Sequence, residues 1–226
     1  MCPADHASLR RDARSNLDRI VSAAAAVFAR RGLSATLADV AKAAGVGVGT
    51  VYRRFANKDE LIYEVYAERV HATEDLARAG SEDPDVWGGM VRFFEETIRD
   101  MAVDRGLREL TTGGFTESLG WARGTSPDRL VELLDENHRV MGVHLTALTD
   151  RAKAAGELRA DFDPTDMMLL SLAVQSTIAF SGADRPQLYR RVLTFMLDGL
   201  RPARGGPTSV SEPPLTESEL RAIRQR

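Results

Sequence analysis

Apolar residues recur at helical spacing along most of the chain, and no stretch alternates as a half-buried strand would. Leu17, Ile20, Ala24, Val27 and Phe28 predict a first helix over about 16–31. Leu37, Val40, Ala41 and Ala44 predict a short second helix, and Val51 and Phe55 the inner side of a third over about 48–55. A long helix is expected at about 58–79. Val86, Met90, Phe93, Phe94, Ile98 and Met101 mark another over about 84–104, and a shorter one at about 107–112 leads into a break at Gly113-Gly114. Ser126-Pro127-Asp128 opens a helix that reaches about Ala155, with Gly156 as its stop. Asp163-Pro164 and Asp184-Arg185-Pro186 open two more, over about 164–180 and 186–200. The predicted fold class is all-α, with about nine helices. Residues 202–226 read as a disordered tail rich in Gly, Pro and Ser, with a weak capping box of Thr216 and Glu219 near the end.

The most informative local pattern lies between Thr36 and Leu61. Thr36 can N-cap the second helix with Asp39 at the capping-box position, and Gly45 can stop it in a left-handed conformation. Asn57 and Glu60 repeat the capping signal ahead of the long helix. Two short amphipathic helices joined by Ala44-Gly45-Val46 form a helix-turn-helix, whose second helix suits a DNA major groove. With Val51 and Phe55 inward, Val48, Gly49, Thr50, Tyr52, Arg53 and Arg54 fall on or near the outer face. Glycine inside a helix is about 1 kcal/mol less favourable than alanine. Close approach of the backbone to DNA gives Gly49 a reason. Arg53, Arg54 and Lys58 can each neutralise a phosphate, and Tyr52 can donate its hydroxyl to one.

This stretch resembles the DNA-binding domain of the TetR (tetracycline repressor-like) family of bacterial transcription regulators. The resemblance covers residues 15–62. It begins with Ile20, Ala23, Ala24, Val27, Phe28 and Gly32, then Thr36 and Asp39-Val40-Ala41. It continues through Ala44-Gly45-Val46, Gly49-Thr50-Val51-Tyr52, Phe55 and Asn57-Lys58-Asp59-Glu60-Leu61. It implies that Thr36, Tyr52, Arg54 and Lys58 touch phosphates, and that Val48, Gly49 and Thr50 meet base edges. Ala38 stands where relatives often carry a longer contacting side chain, and Gly47 where a capping serine is common. The base-reading face is therefore spare, and specificity leans on DNA shape and on Arg53. The implied organisation is a flexible arm (1–14), the DNA-binding domain (15–62), a helical regulatory and dimerisation domain (63–201) and the tail (202–226).

Composition sharpens this picture. Residues 1–60 carry 10 Lys+Arg against 6 Asp+Glu, net +4, and residues 61–226 carry 20 against 27, net −7. A basic head on an acidic body fits a DNA reader with a separate regulatory part. A single cysteine, Cys2, excludes an internal disulfide framework and a cysteine zinc site. No apolar run is long enough to span a membrane, and the polar N-terminus is not a signal peptide, so the expected compartment is the cytoplasm. No phosphate loop, nucleophile elbow or zinc signature is present, so no enzyme, cofactor or metal is expected.

The helices at 164–180 and 186–200 are apolar over most of their circumference, as expected of a core or an oligomer interface. The resemblance implies a homodimer through these two helices, a palindromic double-stranded DNA operator and a small-molecule effector. A repressor released by that effector is the leading function. Candidate pocket residues are Trp87, Phe94, Met101, Trp121, His138, Met141 and Gln175. Each also fits a plain core, and Gln175 could instead hydrogen-bond across a dimer interface. The competing functions are a helical interaction protein with a weakened head and, least favoured, an enzyme.

Overall fold

A computed structural model describes residues 3–111, 128–182, 185–202, 216, 218 and 219. Among these residues the chain forms nine helices and no strand. They are α1 (Pro3–Arg31), α2 (Leu37–Ala44), α3 (Val48–Arg54), α4 (Lys58–Glu82), α5 (Val86–Val103), α6 (Arg105–Thr111), α7 (Asp128–Ala154), α8 (Asp166–Ser181) and α9 (Tyr189–Leu200).

One boundary differs markedly from expectation. The first helix begins at Pro3, so the segment read as a flexible arm over 1–14 is helical from that residue on. The reason is visible in PADHASLRRDARS, where proline suits a first turn and the Ala, Leu and Arg residues that follow favour helix. The break at Gly113-Gly114, the start at Ser126-Pro127 and most of the tail lie outside the described residues. Of the tail's capping box, the Thr216 N–H and hydroxyl donate to Glu219 (2.8 and 2.7 Å).

Two cores form, and they divide within α4. The first contains Phe28, Leu33, Val40, Val51, Phe55 and Ile62 from the head. It continues without a gap through Tyr66 and Val70 of α4, Leu107 and Leu110 of α6, and Leu130, Leu133 and Leu134 of α7. The second begins at Ala77 and collects Met90, Phe93, Phe94 and Ile98 of α5, Leu148 and Ala152 of α7, and the inner faces of α8 and α9. With 25 residues at 1.5 Å each, α4 is about 37 Å long and threads both cores.

Polar contacts fix the helices around α4. The Asn137 amide on α7 donates to the Val70 carbonyl (3.2 Å) and to Glu74 Oε1 (3.2 Å). Arg151 donates to the Ser81 carbonyl and to the Asp83 carbonyl (2.8 Å), closing the α4–α5 corner. Buried Asp104 accepts from the Tyr66 hydroxyl (2.9 Å), from Arg69 and from the Leu107 N–H (2.9 Å). It thus caps α6 and ties it to α4 in one cluster. Burial, then the Asp104 charge, push the Tyr66 phenol far above its ordinary pKa, so it remains a neutral donor.

Candidate nucleic-acid interface

Local signals set the head. Thr36 accepts from the Asp39 N–H (3.1 Å), and its own N–H and hydroxyl donate to Asp39 Oδ2 (2.9 and 2.7 Å), completing the capping box. These bonds, led by the Thr36 N–H and joined by Arg31 at 2.6 Å, hold the Asp39 carboxyl well below the usual carboxylate range. Gly45 closes α2 at φ 65°, a conformation that suits glycine. The chain then turns into α3, capped by Gly47 through its backbone alone, with the Thr50 N–H on the Gly47 carbonyl (2.9 Å).

α3 is anchored on one side and bare on the other. Val51 and Phe55 are buried in the first core. Val48 is 40% exposed and Tyr52 58% exposed, high values for large apolar or aromatic side chains in a free protein. Gly49, Arg53 and Arg54 are also exposed, with Thr50 half-buried. Arg53 Nη2 donates to Thr50 Oγ1 (3.2 Å), which lays the guanidinium along the outer face of the helix. The structure therefore gathers six of the eight predicted DNA residues on a single helix.

The other two are placed differently. The Thr36 hydroxyl is occupied by its capping box, so any phosphate grip there falls to the N–H groups of the first turn of α2. Lys58 is half-buried, and its ammonium donates to the Leu33 backbone carbonyl. Burial pushes its pKa down, against the pull of Asp59 and Glu109. To reach a phosphate, Lys58 must leave Leu33.

The same turn shows a residue that sequence reading missed. Glu109 of α6 accepts from the Leu33 N–H (2.7 Å) and from Arg105 Nε (2.6 Å). Its carboxylate lies where a Cβ on Gly32 would stand, and Gly32 adopts φ 77°. Both peptide groups of Leu33 are thus held from outside the α1–α2 turn, by α6 and by the start of α4. No local signal marks a partner 76 residues away. Glu109→Ala is expected to weaken operator binding about tenfold, because the turn that sets α2 loses its anchor. An anisotropy titration checks it, and unchanged affinity would show that Lys58 holds the turn alone. Lys42, which no sequence motif singles out, is an exposed cation one turn after Ala38 on α2.

The predicted pocket set separates. Trp87 stacks under the Arg201 guanidinium at 4.5 Å. It is fourteen residues from Met101 on α5, or about 21 Å along the helix, too far to share a small pocket. His138 is exposed, and Met141 packs at the margin of the second core. Trp121 lies outside the described residues. Phe94, Met101 and Gln175 do converge: all three are buried, and the Gln175 amide donates to Met101 Sδ (3.3 Å) within the chain. Gln175 thus faces inward, not across an interface. One turn before Met101, the buried Thr97 hydroxyl has no hydrogen-bond partner. A buried unpaired hydroxyl is unfavourable by about 1–3 kcal/mol. Among the described residues no His, Cys, Asp and Glu side chains group as a metal site, and no helix is long and apolar enough to cross a membrane.

Comparison with known proteins decides the lineage. The bacterial regulatory proteins of the tetR family match residues 20–65, and the C-terminal domain of SbtR-like transcriptional regulators matches residues 85–202. The chain is 32% identical over 161 residues to the HTH-type transcriptional regulator TtgR of Pseudomonas putida, covering 67% of this chain and 74% of that protein. The chain belongs to the TetR family. Like other TetR-family members it is a DNA-binding transcriptional regulator, with α2 and α3 as its helix-turn-helix. A TetR regulator of Streptomyces coelicolor, SCO0520, has a TM-score of 0.53 at 29% identity, covering 82% of this chain and 98% of that one. FadR of Bacillus subtilis, solved in complex with stearoyl-CoA, has a TM-score of 0.53 at 19% identity, covering 82% of this chain and 100% of that one. At that identity the likeness is one of fold alone.

Proposed function

We propose that this TetR-family protein is a homodimeric repressor that leaves a palindromic operator when a small molecule occupies the body. The observation that carries this reading is the unbroken first core. Val51 beneath the DNA-facing helix and Leu110 and Leu134 beneath the body belong to one buried cluster. A packed core shifts as discrete units, so a change of body packing that moves α4, which threads both cores, reaches α3. The effector alters DNA affinity only by binding the two arrangements unequally.

The DNA grip is that of Thr36, Val48, Gly49, Thr50, Tyr52, Arg53 and Arg54, joined by Lys58 once it leaves Leu33. Titration of the protein against the DNA upstream of its own gene tests this. Arg54→Ala is expected to weaken binding about tenfold or more and to reduce the salt slope by about 2, one phosphate contact being lost in each half-site. Wild-type affinity and slope in that variant would remove Arg54 from the interface.

The dimer reading rests on α8 and α9. Phe180 is 85% exposed and Phe195 60% exposed, with Leu169 and Leu172 also open to solvent. Large apolar residues clustered on two adjacent helices mark an interface. A second copy seated there sets two α3 helices about one DNA turn apart, roughly 34–36 Å, or a multiple. Phe180→Asp with Phe195→Asp is expected to yield a monomer in sedimentation and to abolish tight palindrome binding. A dimer that survives both charges would place the interface elsewhere.

A further inference from the structure

We infer that the effector is a neutral, largely apolar molecule carrying a hydroxyl, and that this hydroxyl sits between Thr97 and Gln175. The inference rests on the effector reading above and names the chemistry of its site. Phe94, Thr97, Ile98 and Met101 fall on one face of α5, at the spacing that puts them in line on a helix. All four are buried. Gln175 of α8 meets this stripe at Met101 Sδ.

The polar groups here lack strong partners. The Thr97 hydroxyl bonds to nothing, although a buried helical threonine can donate to the carbonyl four residues back. The Gln175 amide has only a thioether, a weak acceptor, and its carbonyl oxygen is unpaired among the described residues. A plain core at these positions would use valine and leucine. The unpaired set offers a hydroxyl on one side and an amide oxygen on the other. A ligand hydroxyl can accept from Thr97 and donate to Gln175 at once.

The surroundings select against charge. The stripe itself is neutral. Arg108, beyond Met101, has its guanidinium on the Met101 backbone carbonyl (2.8 Å), and Asp104 is taken up by Tyr66, Arg69 and the Leu107 N–H. A carboxylate or ammonium brought to Thr97 would meet no charged side chain on the stripe itself and would lose its hydration. The apolar neighbours Phe94, Ile98 and Ile178 fit an aliphatic or aromatic body.

The test uses the full-length protein and three probes of matched length: 1-octanol, 1-chlorooctane and octanoate. Calorimetry and thermal shift are the readouts. Octanol is expected to bind at least fivefold more tightly than chlorooctane, with no shift from octanoate. Thr97→Val should raise the melting temperature of the free protein by roughly 2–4 °C, because the unpaired hydroxyl is gone. It should also erase the preference for octanol, whereas Thr97→Ser should keep it. Equal binding of octanol and chlorooctane, an octanol preference that survives Thr97→Val, or no binding by any probe overturns the inference. If octanoate binds best and releases the operator, the hydroxyl assignment fails while the effector reading stands. If octanol binds as expected but leaves the operator occupied, the site holds and the effector reading fails.

Discussion

Replacing Gly49 with leucine is expected to lower operator affinity about a hundredfold or more while leaving the fold intact. A Cβ built on Gly49 meets nothing within 4 Å, and the position is exposed near the N-terminal end of α3. The free protein therefore accepts the side chain. Leucine also favours helix over glycine by roughly 0.8–1 kcal/mol, so melting temperature should hold or rise. The penalty falls on the complex, where the added side chain fills the space between α3 and the base edges. Lost base contacts are worth about 1–3 kcal/mol each, and a dimer loses them in both half-sites. Anisotropy and thermal melts on the same sample separate the two effects. Retained affinity would mean that Gly49 is not the point of closest approach and that α3 enters the groove on another edge.

Asp104→Ala is expected to destabilise the protein by about 3 kcal/mol. Asp104 is almost fully buried and gathers three donors, the Tyr66 hydroxyl, the Arg69 guanidinium and the Leu107 N–H. Alanine leaves the first and last of these unpaired in the interior, and a buried donor without its partner is unfavourable by about 1–3 kcal/mol. Removing one member of a buried charged pair alone is worth about 3–5 kcal/mol, reduced here because Arg69 is about a third exposed and can rehydrate. Denaturant unfolding with an unchanged m-value measures the loss. Glu is no rescue, since its extra methylene must enter a site where a Cβ on Gly106 would already meet the Tyr66 hydroxyl. A loss below 1 kcal/mol would show that water replaces the carboxylate.

What the sequence reveals and what it hides follow from the range of each interaction. The capping box at Thr36 and Asp39, the left-handed Gly45 and the Asn57 cap all lie within four residues of their partners, and each forms as the local pattern dictates. The inward pair Val51 and Phe55 follows from helical spacing alone. The local pattern offers Lys58 only as a phosphate ligand, because its acceptor, the Leu33 carbonyl, is 25 residues earlier in the chain. Glu109 gave no signal for the same reason. The pocket candidates follow from residue type, and type does not say which side of α7 turns outward. His138 turned out, while Asn137 beside it turned in to reach Val70 and Glu74. Thr97 carries no sequence signal, because a threonine at core spacing reads as a small apolar residue, and only its unpaired hydroxyl sets it apart.

The division of the two cores inside α4 bears on how such a regulator could be rewired. A chimera joined at residue 62 would set a foreign surface against Tyr66, Val70, Leu107, Leu110 and Leu130, all of which pack with the head. The unit that exchanges cleanly is the second core, from Ala77 through α5 and from Met141 to Leu200, leaving α6 and the first turns of α7 with their own head. Swapped on those lines, a sensor of new specificity would inherit a DNA reader whose foundations are its own.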